Sequence, residues 1–177
     1  MELAETLEQF PGTVLWVSHD RGEVFRNCRR VCVLDRGKSQ GTFTLRELFH
    51  QPVTEAAARL SGCKNYAEAV PAGTAVFLPE WGLTLECGKA VPDGIHRVGI
   101  RAHHVTMADA DTPGAFPCTV QRVIQDVFNT IVLLRPEGAA PAAQPLRMEL
   151  DREEWSRAVE KDRVWAMIQP RDILPLK

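Results

Sequence analysis

Apolar residues recur at three- and four-residue steps in Leu3, Leu7 and Phe10, so Glu2 to Phe10 reads as a helix that Pro11-Gly12 ends. The next run, Thr13-Val14-Leu15-Trp16-Val17, is apolar without alternation, which predicts a strand buried on both faces of a parallel sheet. Asp20 is placed to cap a helix over Arg21 to Arg29, with Val24, Phe25 and Cys28 along one face. Val31-Cys32-Val33-Leu34 predicts a second buried strand, closed by the turn Asp35-Arg36-Gly37-Lys38. Two short helices, Leu45 to His50 and Thr54 to Leu60, are separated by Pro52 and stopped by Ser61-Gly62.

From Asn65 onward the pattern is short and strand-like, broken every few residues by Gly or Pro. It predicts strands at Ala75 to Leu78, Leu83 to Leu85, Arg97 to Arg101, Cys118 to Val120, Val127 to Leu134, Leu146 to Leu150 and Val164 to Ile168. One helix is expected among them, over Asp151 to Glu160 with Trp155 and Val159 four apart, and Gly138 to Pro145 reads as an exposed loop. The chain is thus expected to be α+β overall, dividing near Gly62 into a truncated α/β tail, residues 1–62, and a small OB-like β-barrel, residues 63–177. Two buried-type parallel strands cannot cover both faces of a sheet by themselves, so the first piece is expected to be incomplete.

A chain of 177 residues with 45% hydrophobic and 25% charged side chains can build a core. Its formal net charge of -2 supplies no electrostatic hold on nucleic acid or an anionic membrane. No apolar stretch approaches the roughly 20 residues that span a bilayer. Met1-Glu2-Leu3-Ala4-Glu5 carries acids where a secretory signal carries bases, so a cytoplasmic location is expected. Cys28, Cys32, Cys63, Cys87 and Cys118 contain no CxxC pair and read as reduced, partly buried thiols.

Gly37-Lys38-Ser39 imitates the end of a phosphate-binding loop, but Cys32 stands where the earlier glycine belongs and Gln40-Gly41-Thr42 reads as a turn, not a helix start. A hairpin turn is expected there. Ser18-His19-Asp20 holds the residue types of a hydrolase triad, yet consecutive side chains diverge and triads assemble from separate segments. His96, His103 and His104 are expected to be exposed or hydrogen-bonded, since adjacent strand residues face opposite ways and at most two could share a metal. Trp16, Trp81, Trp155 and Trp165 are read as core packing. His19 is the strongest single candidate: it follows a predicted buried strand, and open α/β sheets bind ligands beyond the carboxyl ends of their strands.

The run Thr13 to Val24 with Ser18-His19-Asp20, then Arg30 to Lys38 with Leu34-Asp35-Arg36-Gly37-Lys38, then Gly41 and Leu45-Arg46-Glu47-Leu48-Phe49 before Pro52, resembles the C-terminal end of an ABC transporter ATPase subunit. The resemblance covers roughly residues 3 to 65. It implies that His19 is the switch-loop histidine that contacts the nucleotide γ-phosphate in the intact parent. The remainder is similar to the regulatory TOBE barrel of importer ATPases. Asn65 opens it, Val98-Gly99-Ile100-Arg101-Ala102-His103 resembles its Gly-Ile-Arg-Pro strand with Ala102 in place of proline, and Val164 to Ile173 resembles its closing strand. Ser61-Gly62-Cys63-Lys64-Asn65 and Trp81-Gly82-Leu83 resemble the molybdate or tungstate branch, although the Ser-Ala-Arg-Asn string of molybdate-binding barrels is not present.

The sequence holds no Walker A loop, no Leu-Ser-Gly-Gly-Gln signature and no apolar run ending in Asp-Glu. Phosphoryl transfer rests on those parts, so the chain alone, as an expressed fragment or truncated product, is expected to be catalytically inert and to need no cofactor, while its parent would use ATP and Mg²⁺. The resemblance implies a regulatory module near the inner membrane that pairs across an ATPase homodimer, meets permease subunits and binds a transported oxyanion in the barrel, at residues the sequence does not name. Two other readings are a partner chain lending His19 to a separate ATPase core and a free-standing barrel for a small ligand or RNA.

Overall fold

The computed structural model describes residues 5, 9–158 and 162–177. Most of the predicted helix Glu2 to Phe10, including Leu3 and Leu7, lies outside them, as do Val159 and Glu160 of the helix predicted after Asp151.

Thr13 to Val17 is not a strand: it runs without regular structure, and Leu15 and Val17 are 90% and 88% exposed. A continuous apolar run becomes a buried strand only between neighbours, and among the described residues no strand pairs with it. The first helix, α1 (Arg21–Asn27), is capped as expected by Asp20, whose carboxylate accepts the Glu23 N–H at 2.8 Å, but it ends before Arg29 and buries none of its residues.

β1 (Arg30–Asp35) and β2 (Lys38–Thr44) pair with each other antiparallel, which replaces the expected parallel arrangement. The reason is local. Arg36 and Gly37 both take positive φ, 48° and 75°, the two-residue turn whose twist matches a hairpin. Gln40-Gly41-Thr42 lies within β2 instead of forming a turn; Gln40 and Gly41 together face Val33 as a bulge, with Gly41 at φ 115°. Of the predicted buried strand only Val33 is buried, and Leu34 and Cys32 face solvent.

Two short helices close this hairpin. α2 (Leu45–His50) begins with a capping box in which the Glu47 carboxylate accepts the Thr44 N–H at 2.7 Å and Thr44 Oγ1 accepts the Glu47 N–H at 3.2 Å. α3 (Glu55–Leu60) is capped by Thr54 Oγ1, which accepts the Ala57 N–H at 3.2 Å. Gly62, at φ 97°, then ends α3: its N–H donates to Arg59 O at 3.1 Å, and the Cys63 N–H donates to Ala58 O at 2.9 Å. That is the Schellman pattern, which needs a left-handed residue at its centre. Val33, Phe43, Leu48 and Ala57 form the small core so enclosed.

Among the described residues eleven strands follow, β3 (Asn65–Glu68), β4 (Val70–Ala72), β5 (Ala75–Leu78), β6 (Leu83–Glu86), β7 (Arg97–Ile100), β8 (Val105–Ala108), β9 (Phe116–Gln125), β10 (Asn129–Pro136), β11 (Leu146–Asp151), β12 (Arg163–Ile168) and β13 (Ile173–Leu176). They pair antiparallel in three sheets, β11-β10-β9-β12-β8, β13-β7-β3 and β4-β5-β6. The sheets share one core that includes Val76, Leu78, Trp81, Val98, Ile100, Val132, Leu134, Leu146, Met148 and Trp155. α4 (Arg152–Ser156) is shorter than predicted and lays Trp155 into that core. The result is a mixed α+β chain, mostly strands, with four short α-helices among the described residues.

The Gly138 to Pro145 loop is largely exposed but anchored: Gln144 O accepts the Trp81 indole N–H at 2.9 Å, and the Ala140 N–H donates to Glu80 O at 2.9 Å. At the other end of these strands the β9–β10 turn holds Val127 and Phe128 in solvent; β11 follows β10 as far as Asn129, whereas β12 pairs with β9 only up to Thr119.

Candidate functional site

His19 lies in the irregular segment before α1 and is exposed. Its neighbours are occupied with the helix start. Ser18 Oγ donates to the Glu23 carboxylate at 2.8 Å and accepts the Asp20 N–H at 3.0 Å, while Asp20 takes the Glu23 N–H. The Asp20 carboxyl lies below its ordinary value because of that backbone hydrogen bond. Ser18 and Asp20 thus serve as caps, an arrangement unlike a hydrolase triad, and the His19 imidazole is presented outward, free to meet a group brought to it.

Behind this loop stands a junction that the sequence reading did not anticipate. Arg101 follows β7 and is 8% exposed, and its guanidinium reaches into both preceding helix ends. Nη1 donates to Ser61 O at 2.6 Å; Nη2 donates to Phe49 O at 2.5 Å and to Ser61 Oγ at 3.1 Å. These carbonyls belong to the C-terminal turns of α2 and α3, which lack helical partners and favour a cation. A second cation works beside it: Arg97 donates to the Glu55 carboxylate at 2.6 Å, and Arg59 binds the other oxygen. Burial pushes the Glu55 carboxyl up, but the two guanidinium groups outweigh it and hold the group below its ordinary value. Ala58, Cys63, Leu174 and Leu176 complete the contact as a small apolar cluster, and the Lys177 N–H donates to Val53 O at 3.1 Å. The signal in the sequence was Arg101 directly after the apolar strand residues Val98-Gly99-Ile100.

Of the histidines, His96 and His103 are exposed and His104 is half-buried. His103 and His104 sit in a 3-10 turn (Ala102–His104), not on a strand, with their rings edge to face at 4.4 Å. His104 Nδ1 lies 3.2 Å from Asp172 Oδ1 but is not aligned as a hydrogen bond, and burial lowers the His104 pKa more than Asp172 raises it. Among the described residues no group of three or more His, Cys, Asp or Glu side chains is placed to hold a metal. Cys63, Cys87 and Cys118 are buried, and burial raises all three thiols, Cys118 to about 12; Cys28 is half-buried, and Cys32, expected to be partly buried, is exposed. Trp81 and Trp155 are core residues, and Trp16 and Trp165 are partly covered. No helix among the described residues is long and apolar enough to cross a membrane.

The barrel defines the class first. It resembles the cytoplasmic molybdate-binding protein ModG, solved with molybdate bound, at a TM-score of 0.50 over 65% of this chain and 97% of that one, with 12% identity. At that identity the likeness is one of fold: an OB-like barrel of the TOBE type. No family model matches the chain. In sequence it is homologous to the ATP-binding subunits of ABC importers and aligns with their C-terminal part. The Fe(3+) ions import ATP-binding protein FbpC of Streptomyces coelicolor is 34% identical over 139 residues, 78% of this chain and 39% of that protein. FbpC of Streptomyces avermitilis is 36% identical over 141 residues, 80% and 40% of the two chains. The sn-glycerol-3-phosphate import ATP-binding protein UgpC 3 of Agrobacterium fabrum is 27% identical over 122 residues, 68% and 34%. The chain therefore spans about two fifths of the length of the FbpC relatives.

Proposed function

We propose that this chain is the regulatory C-terminal portion of an importer ATPase subunit, in which the barrel senses or restrains movement of the nucleotide site through the Arg101 junction. The observation that carries the reading is the alignment of about four fifths of the chain with two FbpC proteins. Residues 1–62 then serve as the tail of the nucleotide-binding domain and residues 63–177 as the regulatory barrel. His19 contacts the γ-phosphate of ATP bound with Mg²⁺ by the rest of the subunit, which its outward position allows. Two copies pair in the working ATPase, held on the cytoplasmic side of the membrane by permease subunits.

The cargo is read as ferric iron, because the two relatives above 30% identity are both iron importers by name. Molybdate, tungstate or another oxyanion in the barrel has only the fold likeness to ModG behind it. Calorimetric titration of the chain with molybdate, tungstate and sulfate decides that point, flat traces removing it.

The test of the main reading joins this chain to the ATP-binding domain of the Streptomyces coelicolor FbpC, in place of the part it aligns with, and measures ATP turnover. Turnover is expected from the hybrid and none from the chain alone. His19→Ala is expected to abolish it, and undiminished turnover in that variant overturns the assignment of His19.

A further inference from the structure

We propose that the groove between α1 and the ends of α2 and α3 is a binding site for a phosphate-type oxyanion, gripped by Arg21 with Arg101 behind it. The groove is lined by Asp20, Arg21, Phe25, Arg26, Phe49 and Ser61. Two guanidinium groups converge on it at Gly62. A Cβ built on that glycine would lie 2.0 Å from Arg21 Nη1 and 3.7 Å from Arg101 Nη1, so the two nitrogens are separated by less than the sum of those distances. Gly62 has no side chain, and Arg21 occupies the space that one would fill.

Like charges so close repel unless something negative lies between or beside them. For Arg101 that role is filled by the carbonyls of Phe49 and Ser61 and by Ser61 Oγ, which take N–H groups from both Nη1 and Nη2. Arg21 has no such partner: among the described residues no ion pair includes Arg21, Arg26 or Arg101. The carboxylate in the lining, Asp20, is engaged elsewhere. Asp20 is turned to the Glu23 N–H, and the guanidinium that acts on its carboxylate is that of Arg26. What remains is a fork of N–H donors at Arg21 with a second guanidinium behind it; the Ser61 hydroxyl is occupied, donating to Ala58 O at 3.0 Å and accepting from Arg101. A planar fork matches a tetrahedral dianion two bonds at a time, and the pair of cations favours a doubly charged oxyanion over chloride.

The walls add a distinction. Phe25 and Phe49 meet edge to face at 5.5 Å, and Phe25 is largely exposed, so an apolar surface stands beside the arginines. A free anion leaves that surface in water, whereas an organic phosphate ester covers it.

The experiment is titration of the full chain with inorganic phosphate and with phenyl phosphate, ionic strength held constant with chloride. Saturable binding in roughly the millimolar range is expected, weakened about tenfold by Arg21→Gln and unchanged by Lys38→Gln on the distant, exposed hairpin turn. Because Arg21 is exposed, its variant is expected to melt as the wild type does in chloride alone. Tighter binding of phenyl phosphate that Phe25→Ala removes identifies an ester as the ligand class; equal binding of both identifies the free anion. Absence of saturable binding, or Arg21→Gln binding as well as the wild type, overturns the site.

Discussion

The side-chain amide of Asn65 brackets the main chain of Arg147: its Oδ1 accepts the Arg147 N–H at 2.7 Å and its Nδ2 donates to the Arg147 carbonyl at 2.8 Å. Asn65 begins β3 and Arg147 lies on β11, an edge strand of the five-stranded sheet. An edge presents unpaired N–H and C=O groups, and one buried amide, 3% exposed, satisfies a donor and an acceptor of this edge together. The barrel is closed at this point by a side chain acting as a short piece of ladder.

Asn65→Ala is therefore expected to destabilise the barrel by about 2–3 kcal/mol, since it leaves partly covered backbone groups without partners. Asn65→Asp is not expected to rescue it, because a carboxylate keeps the acceptor but sets a negative charge against the Arg147 carbonyl. Urea unfolding followed by tryptophan fluorescence measures both; an Ala variant within about 0.5 kcal/mol of wild type would show that water replaces the amide.

Arg101→Met separates the junction from the barrel. Its loss leaves the Phe49 and Ser61 carbonyls without the donors they now have, while the main barrel core, from Ala67 to Ile173, keeps its own packing. Limited proteolysis is expected to cut within residues 45–62 far sooner than in the wild type, with the barrel fragment surviving. Arg101→Lys is expected to behave much like Met, since an ammonium cannot span two carbonyls as a fork does. Equal cleavage rates in wild type and variant would place the holding force in Ala58, Cys63, Leu174 and Leu176 instead.

The elements that could be read from the sequence are those whose pattern is local. Ala75 to Leu78 and Leu146 to Leu150 show strand composition within themselves, and α2 and α3 carry their own caps in Thr44, Glu47 and Thr54. β4 and β13 escaped because each contains a proline, Pro71 and Pro175, which a strand tolerates at the edge of a sheet, where both lie. Thr13 to Val17 was misread for the opposite reason: its composition suits a buried strand, but burial depends on neighbours that no local pattern contains. His19 could be picked out through the motif around it, whereas the roles of Arg101 and Asn65 are set by partners 40 and 82 residues away.

Acid is expected to loosen the barrel through His104. Its folded pKa lies below its ordinary 6.5, because burial disfavours the imidazolium more than Asp172 favours it. The unfolded chain therefore binds a proton more readily, so this contribution to stability is intact above pH 6.5 and is lost as pH falls below it. His104→Gln should flatten the stability curve between pH 7 and about 5. Losses at Glu55, Asp20 and Glu47, all held below their ordinary values, belong to the separate window below about pH 4.5 and should persist in the variant. A slope unchanged by His104→Gln would assign the effect to another group.

Thiol labelling should divide the cysteines by burial. A small alkylating reagent is expected to modify exposed Cys32 first and Cys28 more slowly, with Cys63, Cys87 and Cys118 protected until the chain unfolds. Mass spectrometry of native and urea-unfolded samples reads this directly. Early modification of Cys118, whose thiol is pushed up to about 12 in a fully covered site, would mean that β9 and β12 separate in the native state.

Gly82 and Gly138 carry a test of the loop that anchors Trp81. Gly82 has φ 62°, and a Cβ there would lie 2.3 Å from Gly138 O and 2.6 Å from Gly138 C, backbone that cannot swing aside. Gly73 offers the control: its φ is similar, 69°, but nothing lies within 4 Å of its Cβ position. Gly73→Ala therefore reports only the left-handed strain of a side chain, about 1–2 kcal/mol. Gly82→Ala adds displacement of the Gly138 loop, and with it the Trp81 bond to Gln144 O, so its cost should exceed that of Gly73→Ala by a further 1–3 kcal/mol or so. Thermal unfolding of the two variants side by side measures the difference. Equal costs would mean that the loop yields freely, and that the indole bond contributes little to holding it.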